Sequence, residues 1–555
     1  MKKAWLKSYP DGVPETVDIN VYQSVAEVFE QSASQYSDRP AFSNMGTTLT
    51  YSEMDELTGH LASYLQRLPN MTQGDRVAIM MPNVLQNPIA IFAVLRAGFT
   101  VVNTNPLYTP RELKHQLVDS GAKAIIVMEN FCSILAEVID QTPIQHVITT
   151  QLGDMLTFPK SFIVNLVVKY IKKMVPPFTF KHRVKFKTAL AEGARVAHIK
   201  VSISPDDIAF LQYTGGTTGV AKGAMLTNRN MVANMQQASA WIKDIVDEGK
   251  DIIITALPLY HIFSLTANCL TFMKVGAENY LITNPRDMAG FVKELKSVPF
   301  TAITGVNTLF IGLLNTPGFD EIDFSHLKLT LGGGMAVQQP VAERWKAATG
   351  SPLLEAYGLT ETSPAVCINP LNLREHNGSI GLPVPSTEVS IQDEDGNILP
   401  QGESGELCVR GPQVMKGYWN CEDETAKVMT DDGWLKTGDV AKMDEAGFFI
   451  ILDRLKDIIL VSGFNVYPNE IETIIMSHEG VSEVGVVGDP NPNSGEIVKA
   501  VIVKKDQLLT EESVIEHCRK NLTRYKVPKI IEFRTELPKT NVGKILRREL
   551  KSTQK

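Results

Sequence analysis

Between residues 74 and 126 the chain alternates strand-like and helix-like segments, and this alternation restricts the fold more than any other feature. The predicted elements are three strands and the two helices between them: strands 77–81, 100–102 and 124–127, and helices 84–96 and 110–119. Strands joined through a helix usually lie parallel in one sheet that helices cover. Similar alternation continues after Pro205, through segments 252–256, 291–296 and 301–305.

From residue 388 the pattern changes to short β-like runs separated by Asp/Gly turns, at 389–392, 405–409 and 448–452. The last unit mixes predicted strands 484–487 and 498–503 with a helix at 511–522. A chain of 555 residues exceeds one ordinary core. We therefore predict a large α/β domain with parallel-type sheets at 1–455, including a β-rich connector at about 388–455, followed by a small, mobile α+β domain at 456–555.

Composition excludes several classes of protein. The apolar content of 44% and charged content of 21% are typical of a globular protein. A net charge of −8 argues against a nucleic-acid partner. The six scattered cysteines form no CxxC pair, so we expect neither a zinc site nor a disulfide framework, and a cytoplasmic location is favoured. No apolar h-region follows the N-terminus and no apolar run reaches about 18 residues, so we expect no signal peptide and no membrane span.

The strongest local motif is Tyr213-Thr-Gly-Gly-Thr-Thr-Gly-Val-Ala-Lys222-Gly223, which directly follows a predicted strand. Glycines let the backbone approach phosphates closely, and hydroxyl groups and a lysine can bind phosphate oxygens. The spacing matches neither Walker A nor the Rossmann fingerprint. A polar surface loop is the alternative interpretation. The candidate phosphate-binding residues are Thr214, Gly215, Gly216, Thr217, Thr218, Gly219 and Lys222.

Further motifs follow in order along the chain. They are Leu257-Pro-Leu-Tyr-His261-Ile-Phe263, Leu331-Gly-Gly-Gly-Met335, Glu355-Ala-Tyr-Gly-Leu-Thr-Glu361, Trp434-Leu-Lys-Thr-Gly-Asp439, Asp453-Arg454-Leu-Lys456-Asp457, Ser462-Gly463-Phe464-Asn465 and Pro538-Lys-Thr-Asn-Val-Gly-Lys544. Each motif alone has an ordinary structural explanation, such as a core histidine, a helix cap or a solvated charged turn. Chance would not produce the whole set in this order.

The set resembles the acyl-adenylate-forming superfamily over most of the chain. The resemblance implies a ligase that uses ATP, CoA and Mg²⁺. It assigns nucleotide contacts, beyond the phosphate loop, to Gly333, Gly334, Glu355, Ala356, Tyr357, Gly358, Thr360, Asp439, Arg454 and Lys456. It assigns coenzyme A contacts to Gly463 and Phe464. A tyrosine can stack on a purine, and a carboxylate shared with phosphates suits Mg²⁺.

The same resemblance implies the catalytic groups. They are Lys544 as the adenylation lysine, Glu361 and Thr218 as metal ligands and catalytic residues, and His261 beside the acyl group. An acyl pocket is expected from His261, Phe263, Gly305, Val306 and Phe310, although such residues would equally form a core. The small domain is expected to swing about Lys456, withdrawing Lys544 and presenting Gly463.

Within the superfamily, the chain is most similar to the bacterial long-chain-fatty-acid–CoA ligases, from the opening Met-Lys-Lys-x-Trp-Leu through Asn105-Pro-Leu-Tyr-Thr-Pro110 to the end. Two departures are Leu455, where relatives often have Lys, and Ala356, where Gly is common. The substrate expected from this resemblance is a long-chain fatty acid. Medium-chain or aromatic acids, loading of a carrier protein, and a catalytically silent binding protein are the alternatives.

The segment 155–190 contains no acidic residue before Leu190 and mixes basic with apolar side chains. Two interpretations remain open: an amphipathic element that rests peripherally on the inner, cytoplasmic membrane surface, or a helix packed on its own domain with a solvated basic face. A homodimer is a further hypothesis. The apolar residues at helical spacing are Phe162, Ile163, Leu166, Val167, Tyr170, Ile171 and Met174.

Overall fold

The computed structural model describes residues 3–214, 221–491, 494–540 and 543–551. Two large sheets form the body before residue 388. Their strands are β1 (Pro40–Asn44), β2 (Thr47–Thr50), β3 (Arg76–Met80), β4 (Thr100–Asn103), β5 (Ala124–Met128), β6 (His146–Thr150), β7 (Val184–Lys185), β8 (Ile208–Thr214), β9 (Lys222–Thr227), β10 (Ile252–Thr255), β11 (Glu278–Leu281), β12 (Ala302–Gly305), β13 (Leu329–Gly332), β14 (Leu353–Gly358), β15 (Ala365–Ile368) and β16 (Leu382–Pro383).

Helices cover and separate these sheets. They are α1 (Val25–Gln35), α2 (Tyr51–Gln66), α3 (Gln86–Arg96), α4 (Pro110–Ser120), α5 (Cys132–Val138), α6 (Lys160–Leu166), α7 (Phe186–Gly193), α8 (Asn228–Ile242), α9 (Thr271–Lys274), α10 (Met288–Leu295), α11 (Asn307–Leu314) and α12 (Gln339–Thr349). Every residue of α3 is buried, which places this helix inside the body. Its sequence is accordingly apolar on nearly all sides.

The parallel architecture predicted from the alternation is confirmed. One sheet has the order β7-β6-β5-β3-β4-β8-β9, and only β9 runs antiparallel to its neighbour. The other has the order β16-β15-β14-β13-β12-β10-β11-β1-β2, parallel from β14 to β1. The carboxyl ends of parallel strands collect polar loops at one edge of each sheet, and such edges carry the ligand sites of α/β proteins.

After residue 387 the sheets are antiparallel. A four-stranded sheet contains β17 (Glu388–Gln392), β18 (Ser404–Arg410), β19 (Leu435–Met443) and β20 (Phe449–Arg454), with α13 (Glu422–Val428) between its second and third strands. The last sheet contains β21 (Ile459–Val461), β22 (Phe464–Val466), β23 (Val481–Asn491), β24 (Gly495–Lys504) and β25 (Ile530–Arg534), covered by α14 (Pro468–Met476) and α15 (Glu511–Asn521).

This last sheet and its helices have their own apolar core. Its buried members run from Ile459 to Ile531, whereas the main core of the body ends at Phe449. The domain boundary between residues 455 and 456 stays a prediction that this separation of cores supports.

The segment 155–190 differs from a single amphipathic helix. Helix α6 continues as a π-helical turn at Val167–Ile171 and the helix then ends, with Lys173 at a φ of +51°. Farther on, Phe186 is fully buried at the start of α7. Its buried ring shows that the protein's own packing accounts for the later part of the segment. Among the described residues, no helix is long and apolar enough to cross a bilayer.

Candidate active site

A cavity of about 2220 Å³ lies where the body, the four-stranded sheet and the small domain meet. Tyr357 of the body, Asp439 of the four-stranded sheet and Lys544 of the small domain all line it. Nine more of the residues predicted to bind nucleotide also line the cavity: Thr214, Gly333, Gly334, Glu355, Ala356, Gly358, Thr360, Arg454 and Lys456. The cavity therefore brings together motifs that are separated by up to 330 residues in the sequence.

The predicted phosphate loop connects two paired strands. Thr214 ends β8 and lies opposite Lys222, which begins β9. The predicted residues Gly215, Gly216, Thr217, Thr218 and Gly219 lie outside the described residues, and with Thr218 so does one of the two predicted metal ligands.

Lys222 does not line the cavity in the described structure. Its Nζ lies 2.7 Å from an oxygen of Glu424 and 4.6 Å from the centre of the Tyr418 ring. A lysine side chain has enough rotamer freedom to exchange this partner for a phosphate.

Three side chains form a bonded group: Tyr357 of β14, Asp439 in the middle of β19 and Arg454 at the end of β20. The Tyr357 hydroxyl donates to Asp439 Oδ2 at 2.5 Å, and Arg454 Nε contacts Asp439 Oδ1 at 2.7 Å. The Asp439 side chain is nearly inaccessible to solvent. Burial raises its pKa, and the positive charge of Arg454 offsets only part of that rise. A buried carboxylate held at the wall of a cavity can accept hydrogen bonds from sugar hydroxyls.

Glu361 lies in a short 3-10 turn, Thr360–Thr362, that follows β14. The Tyr418 hydroxyl donates to Glu361 Oε1 at 2.7 Å, and the Met415 N–H donates to the Glu361 carbonyl at 2.8 Å. Among the described residues, no group of three or more His, Cys, Asp or Glu residues could hold a metal alone. Mg²⁺ commonly binds one carboxylate together with nucleotide phosphates, so the donor set fits Mg²⁺ brought with a nucleotide.

Two glycines after β13 leave room on the cavity wall. A Cβ at Gly333 would lie 3.0 Å from the Phe263 ring and 3.1 Å from the Ala356 carbonyl oxygen. Gly334 has a φ of +76°, and a Cβ there would lie 3.8 Å from Lys544 Cε. A side chain at Gly333 would therefore press on Phe263 and the Ala356 carbonyl, and the positive φ at Gly334 favours glycine there.

Burial lowers the pKa of two groups at the cavity, Lys544 and His261. Burial, followed by the nearby Arg454 charge, lowers the pKa of Lys544 to about 8. Burial, followed by Lys544, lowers the pKa of His261 to about 4. His261 is therefore neutral at physiological pH, and its role as a catalytic residue stays a prediction. Its Nδ1 accepts a hydrogen bond from the Phe263 N–H at 3.4 Å.

Two of the five residues predicted to form an acyl pocket line this cavity, and the pocket itself stays a prediction. His261 and Phe263 line the cavity, but Gly305, Val306 and Phe310 are absent from its described lining. Phe310 is fully buried instead and packs edge-on against the Trp345 ring, with ring centroids 4.8 Å apart. Large apolar side chains serve a core as well as a pocket, which is why the sequence could not separate these roles.

The apolar part of the cavity runs along α8. Asn234, Ala238 and Ile242 line it at intervals of four residues, which puts them on one face of the helix. Their positions span about 12 Å along the helix axis. Phe272 and Leu329 line the cavity and share an apolar cluster with Ile242. These residues form an apolar part of the cavity wall along α8, which we call the apolar branch.

Asn234 marks the polar end of this branch. Its side chain donates to the Ala365 carbonyl at 3.0 Å and accepts from the Ala365 N–H at 3.0 Å. Three lining residues, Asn234, Ala238 and Tyr418, were not predicted from the sequence. The periodic small and polar residues of α8 were a signal for a lining helix, although an ordinary amphipathic helix carries the same pattern.

Gly463 and Phe464 lie away from the cavity. Gly463 has a φ of +83° and open space where a Cβ would be. Phe464 is exposed and stacks on Tyr525, with ring centroids 4.9 Å apart. Their predicted contact with coenzyme A stays a prediction, and it requires the small domain to move.

These sheets and the cavity that they share have the arrangement of a nucleotide-binding enzyme built from a large and a small domain. Residues 29–419 match the family described as AMP-binding enzyme, and residues 470–544 match the one described as AMP-binding enzyme C-terminal domain. The chain belongs to the AMP-binding enzyme family.

Curated and solved relatives agree with this family. The long-chain-fatty-acid–CoA ligase of Escherichia coli O6:H1 is 58% identical over 99% of this chain and 98% of that protein. The ATP-bound structure of MatB from Rhodopseudomonas palustris has a TM-score of 0.77 at 28% identity, over 95% of this chain and 98% of that one. The anthranilate CoA ligase AuaEII with anthranoyl-AMP has a TM-score of 0.85 at 23% identity, over 96% and 98%, and supports the fold.

Proposed function

We propose that this protein is a long-chain-fatty-acid–CoA ligase that forms an acyl-adenylate and pyrophosphate from ATP, and then acyl-CoA and AMP. The observation that carries the proposal is one cavity in which Lys544, Asp439 and Glu361 converge and from which an apolar branch extends along α8. The polar part suits a nucleotide and the apolar branch suits an unbranched acyl chain. The 58% identical ligase of Escherichia coli supports this substrate class.

In the first half-reaction, a carboxylate oxygen of the acid attacks the α-phosphorus of ATP, and the bond to pyrophosphate breaks. Tyr357 would stack on the purine, Asp439 would accept hydrogen bonds from the ribose hydroxyls, and Thr360 would contact the α-phosphate. Lys544, protonated below a pKa of about 8, would neutralise the charge that develops on the phosphorus oxygens. No covalent bond to the protein is needed, because positioning and charge neutralisation suffice.

Glu361 is the described residue that would hold Mg²⁺, and the ion would supply positive charge to the phosphates when bound. The Tyr418 hydroxyl donates to one oxygen of this carboxylate, and both residues line the cavity. Outer partners of this kind fix the geometry of a ligand.

In the second half-reaction, the coenzyme A sulfur attacks the acyl carbonyl carbon, AMP leaves and the thiol proton is released. Gly463 and Phe464 would border the incoming thiol after the small domain rotates about Lys456. The separate core of the small domain is compatible with such a rotation as one unit.

The function is tested by measuring AMP and acyl-CoA formation from ATP, Mg²⁺ and coenzyme A with acids from acetate to oleate and with 4-coumarate. We expect product with the long-chain acids. Product only with short or aromatic acids would contradict the substrate class and leave the ligase chemistry standing. Transfer to a carrier protein in preference to coenzyme A would favour the carrier-loading alternative.

Replacing Ala238 with phenylalanine should shorten the range of accepted acids. Ala238 is buried midway along the apolar branch, so a ring there would block the chain beyond it. We expect kcat/KM for oleate to fall by about tenfold or more while the value for hexanoate changes little. Ala240, partly exposed and on the other side of α8, provides the matched control Ala240→Phe. Equal losses for both acids in Ala238→Phe would contradict the assignment of this branch.

Adenylate formation at low ATP concentration should fall as the pH rises through about 8, because the Lys544 amine loses its proton there. The charged amine is present below this pKa and absent above it, so the activity is lost on the alkaline side. The profile of kcat/KM for ATP reports the free enzyme and is the quantity to measure. Lys544→Arg should remove this alkaline fall, since a guanidinium stays protonated.

We also propose that residues 158–174 contact an anionic membrane surface. Lys172 and Lys173 are exposed within this stretch, and no acidic residue lies between 155 and 190. Apolar side chains with adjacent lysines suit an interfacial element near anionic lipid. Seven large apolar side chains are exposed in this stretch: Phe158, Phe162, Ile163, Leu166, Tyr170, Ile171 and Met174.

The paired substitution Phe162→Glu and Tyr170→Glu should lower binding to vesicles that contain phosphatidylglycerol by about 100-fold. The two exposed side chains would be buried in the lipid on binding, and their burial would contribute about 3 kcal/mol. Co-sedimentation at two salt concentrations is the measurement. Leu508→Glu, which changes an apolar side chain 84% exposed on the small domain, is the control. Unchanged vesicle binding of the paired variant would exclude this surface.

A further inference from the structure

A cluster of buried charges lies three residues after Lys544, around Arg547. Arg547 Nη1 donates to Asp453 Oδ1 at 2.9 Å, and Nη2 donates to Asn469 Oδ1 at 2.5 Å. Its Nη2 and Nε also donate to the two oxygens of Glu472, at 2.9 and 3.2 Å. Only 17% of the Arg547 side chain is exposed. A guanidinium held by several buried acceptors is fixed in position.

The partners of Arg547 lie on both sides of the predicted domain boundary. Asp453 is fully buried in β20 of the four-stranded sheet and also accepts from the Asn469 N–H at 2.7 Å. Glu472 belongs to α14 of the small domain and accepts from the Val486 N–H at 2.8 Å. The contact with Glu472 is internal to the small domain, whereas the contact with Asp453 joins that domain to the rest of the protein.

A second contact holds the chain on the other side of Lys544. The Thr308 hydroxyl, at the start of α11, donates to the Gly543 carbonyl at 3.3 Å. Gly543 has a φ of +86°, and a Cβ there would lie 2.5 Å from Thr308 Oγ1. The segment from 543 to 547 is therefore attached at one end to the body, through Thr308, and at the other end to the four-stranded sheet, through Asp453, with Lys544 between the two attachments.

We propose that Arg547 is a positioning residue for Lys544: by bridging Asp453 and Glu472, it fixes the segment that carries the lysine inside the cavity during adenylate formation. The inference rests on the proposed function. Arg547 itself does not need to touch a substrate for this role. Misplacing a catalytic group by about 1 Å can cost about 100-fold in rate. Transfer of a preformed acyl group to coenzyme A does not use Lys544, so that half-reaction does not need the bridge.

The test separates the two half-reactions. Adenylate formation is followed as pyrophosphate exchange into ATP with oleate, and acyl transfer as conversion of supplied oleoyl-adenylate and coenzyme A to oleoyl-CoA. Arg547→Gln should lower the exchange rate by about 100-fold and leave acyl transfer close to that of the unsubstituted protein. Arg547→Lys should restore little, because an ammonium cannot span both carboxylates.

Two further variants and one control keep the test decisive if Arg547→Gln is unstable. Thr308→Val removes a hydroxyl of the other attachment without changing its shape and should lower exchange by about tenfold. Asp453→Asn should act in the same direction as Arg547→Gln. Arg519→Gln changes an exposed arginine of α15 that does not line the cavity and should leave both half-reactions unchanged. Melting temperatures are measured for all variants, and assays are run well below them.

Equal losses in both half-reactions for the folded variants would overturn the proposal and make the cluster purely structural. Unchanged exchange in both Asp453→Asn and Thr308→Val would also overturn it. If the unsubstituted protein converts no acid to an adenylate, the proposed function fails and the role of Arg547 fails with it. If the unsubstituted protein forms the adenylate and the variants form it at the same rate, the proposed function stands and only the positioning role of Arg547 is wrong.

Discussion

Lys544→Ala should lower the rate of acyl-adenylate formation by about 100- to 1000-fold, the loss typical of removing one group that stabilises transition-state charge. Lys544 is partly buried beside Gly334 and belongs to the cavity that Asp439 and Glu361 also line. Pyrophosphate exchange with oleate measures the loss.

The same variant should still convert supplied oleoyl-adenylate and coenzyme A to oleoyl-CoA. Lys505→Ala, an exposed lysine of the same domain, is the matched control and should retain both activities. Exchange at the level of the unsubstituted protein would remove Lys544 from the mechanism. Loss of both half-reactions without loss of folding would give the lysine a role in both steps.

Asp439→Ala should weaken ATP binding by more than about tenfold and destabilise the protein by about 2 kcal/mol. The carboxylate holds the Tyr357 hydroxyl at 2.5 Å and Arg454 Nε at 2.7 Å, and it would also receive the ribose hydroxyls. Its removal leaves Arg454, which is 38% exposed, with water as a partial substitute, so the destabilisation stays below that of a fully buried pair.

Calorimetric titration with ATP and thermal unfolding measure the two effects separately. Asp431→Ala, on an exposed carboxylate before β19, should change neither quantity. A destabilised Asp439→Ala that binds ATP normally would show that this aspartate supports the fold and makes no nucleotide contact.

The order of the motifs already indicated which distant residues meet. Tyr357, Asp439 and Lys544 were predicted to act together, and the structure places all three on one cavity. The parallel sheets were predictable because strand and helix periodicity is a local property of the sequence. Element boundaries differ by a few residues, as with α3, which begins at Gln86 and not at residue 84.

The substrate branch was not predictable from the same information. Phe310 was expected in the acyl pocket, yet it packs on Trp345, while Ala238 and Ile242 of α8 line the branch. Each of these is an apolar residue on an amphipathic helix, and periodicity shows only that one face is buried. Whether that face meets another core residue or an open cavity depends on the packing of elements far apart in sequence.

The sequence by itself determined the family, the succession of strands and helices along the chain and the chemical groups available. Motifs and periodicity are properties of residues that are close together in the sequence. Only the tertiary structure decided which groups share an environment. Burial lowers the pKa of both Lys544 and His261; the Arg454 charge lowers that of Lys544 further, and the Lys544 charge lowers that of His261 further. Arg547 gains partners at Asp453 and Glu472, 94 and 75 residues earlier in the chain. Burial and ion pairing depend on distance in space, and the linear order of residues does not specify that distance.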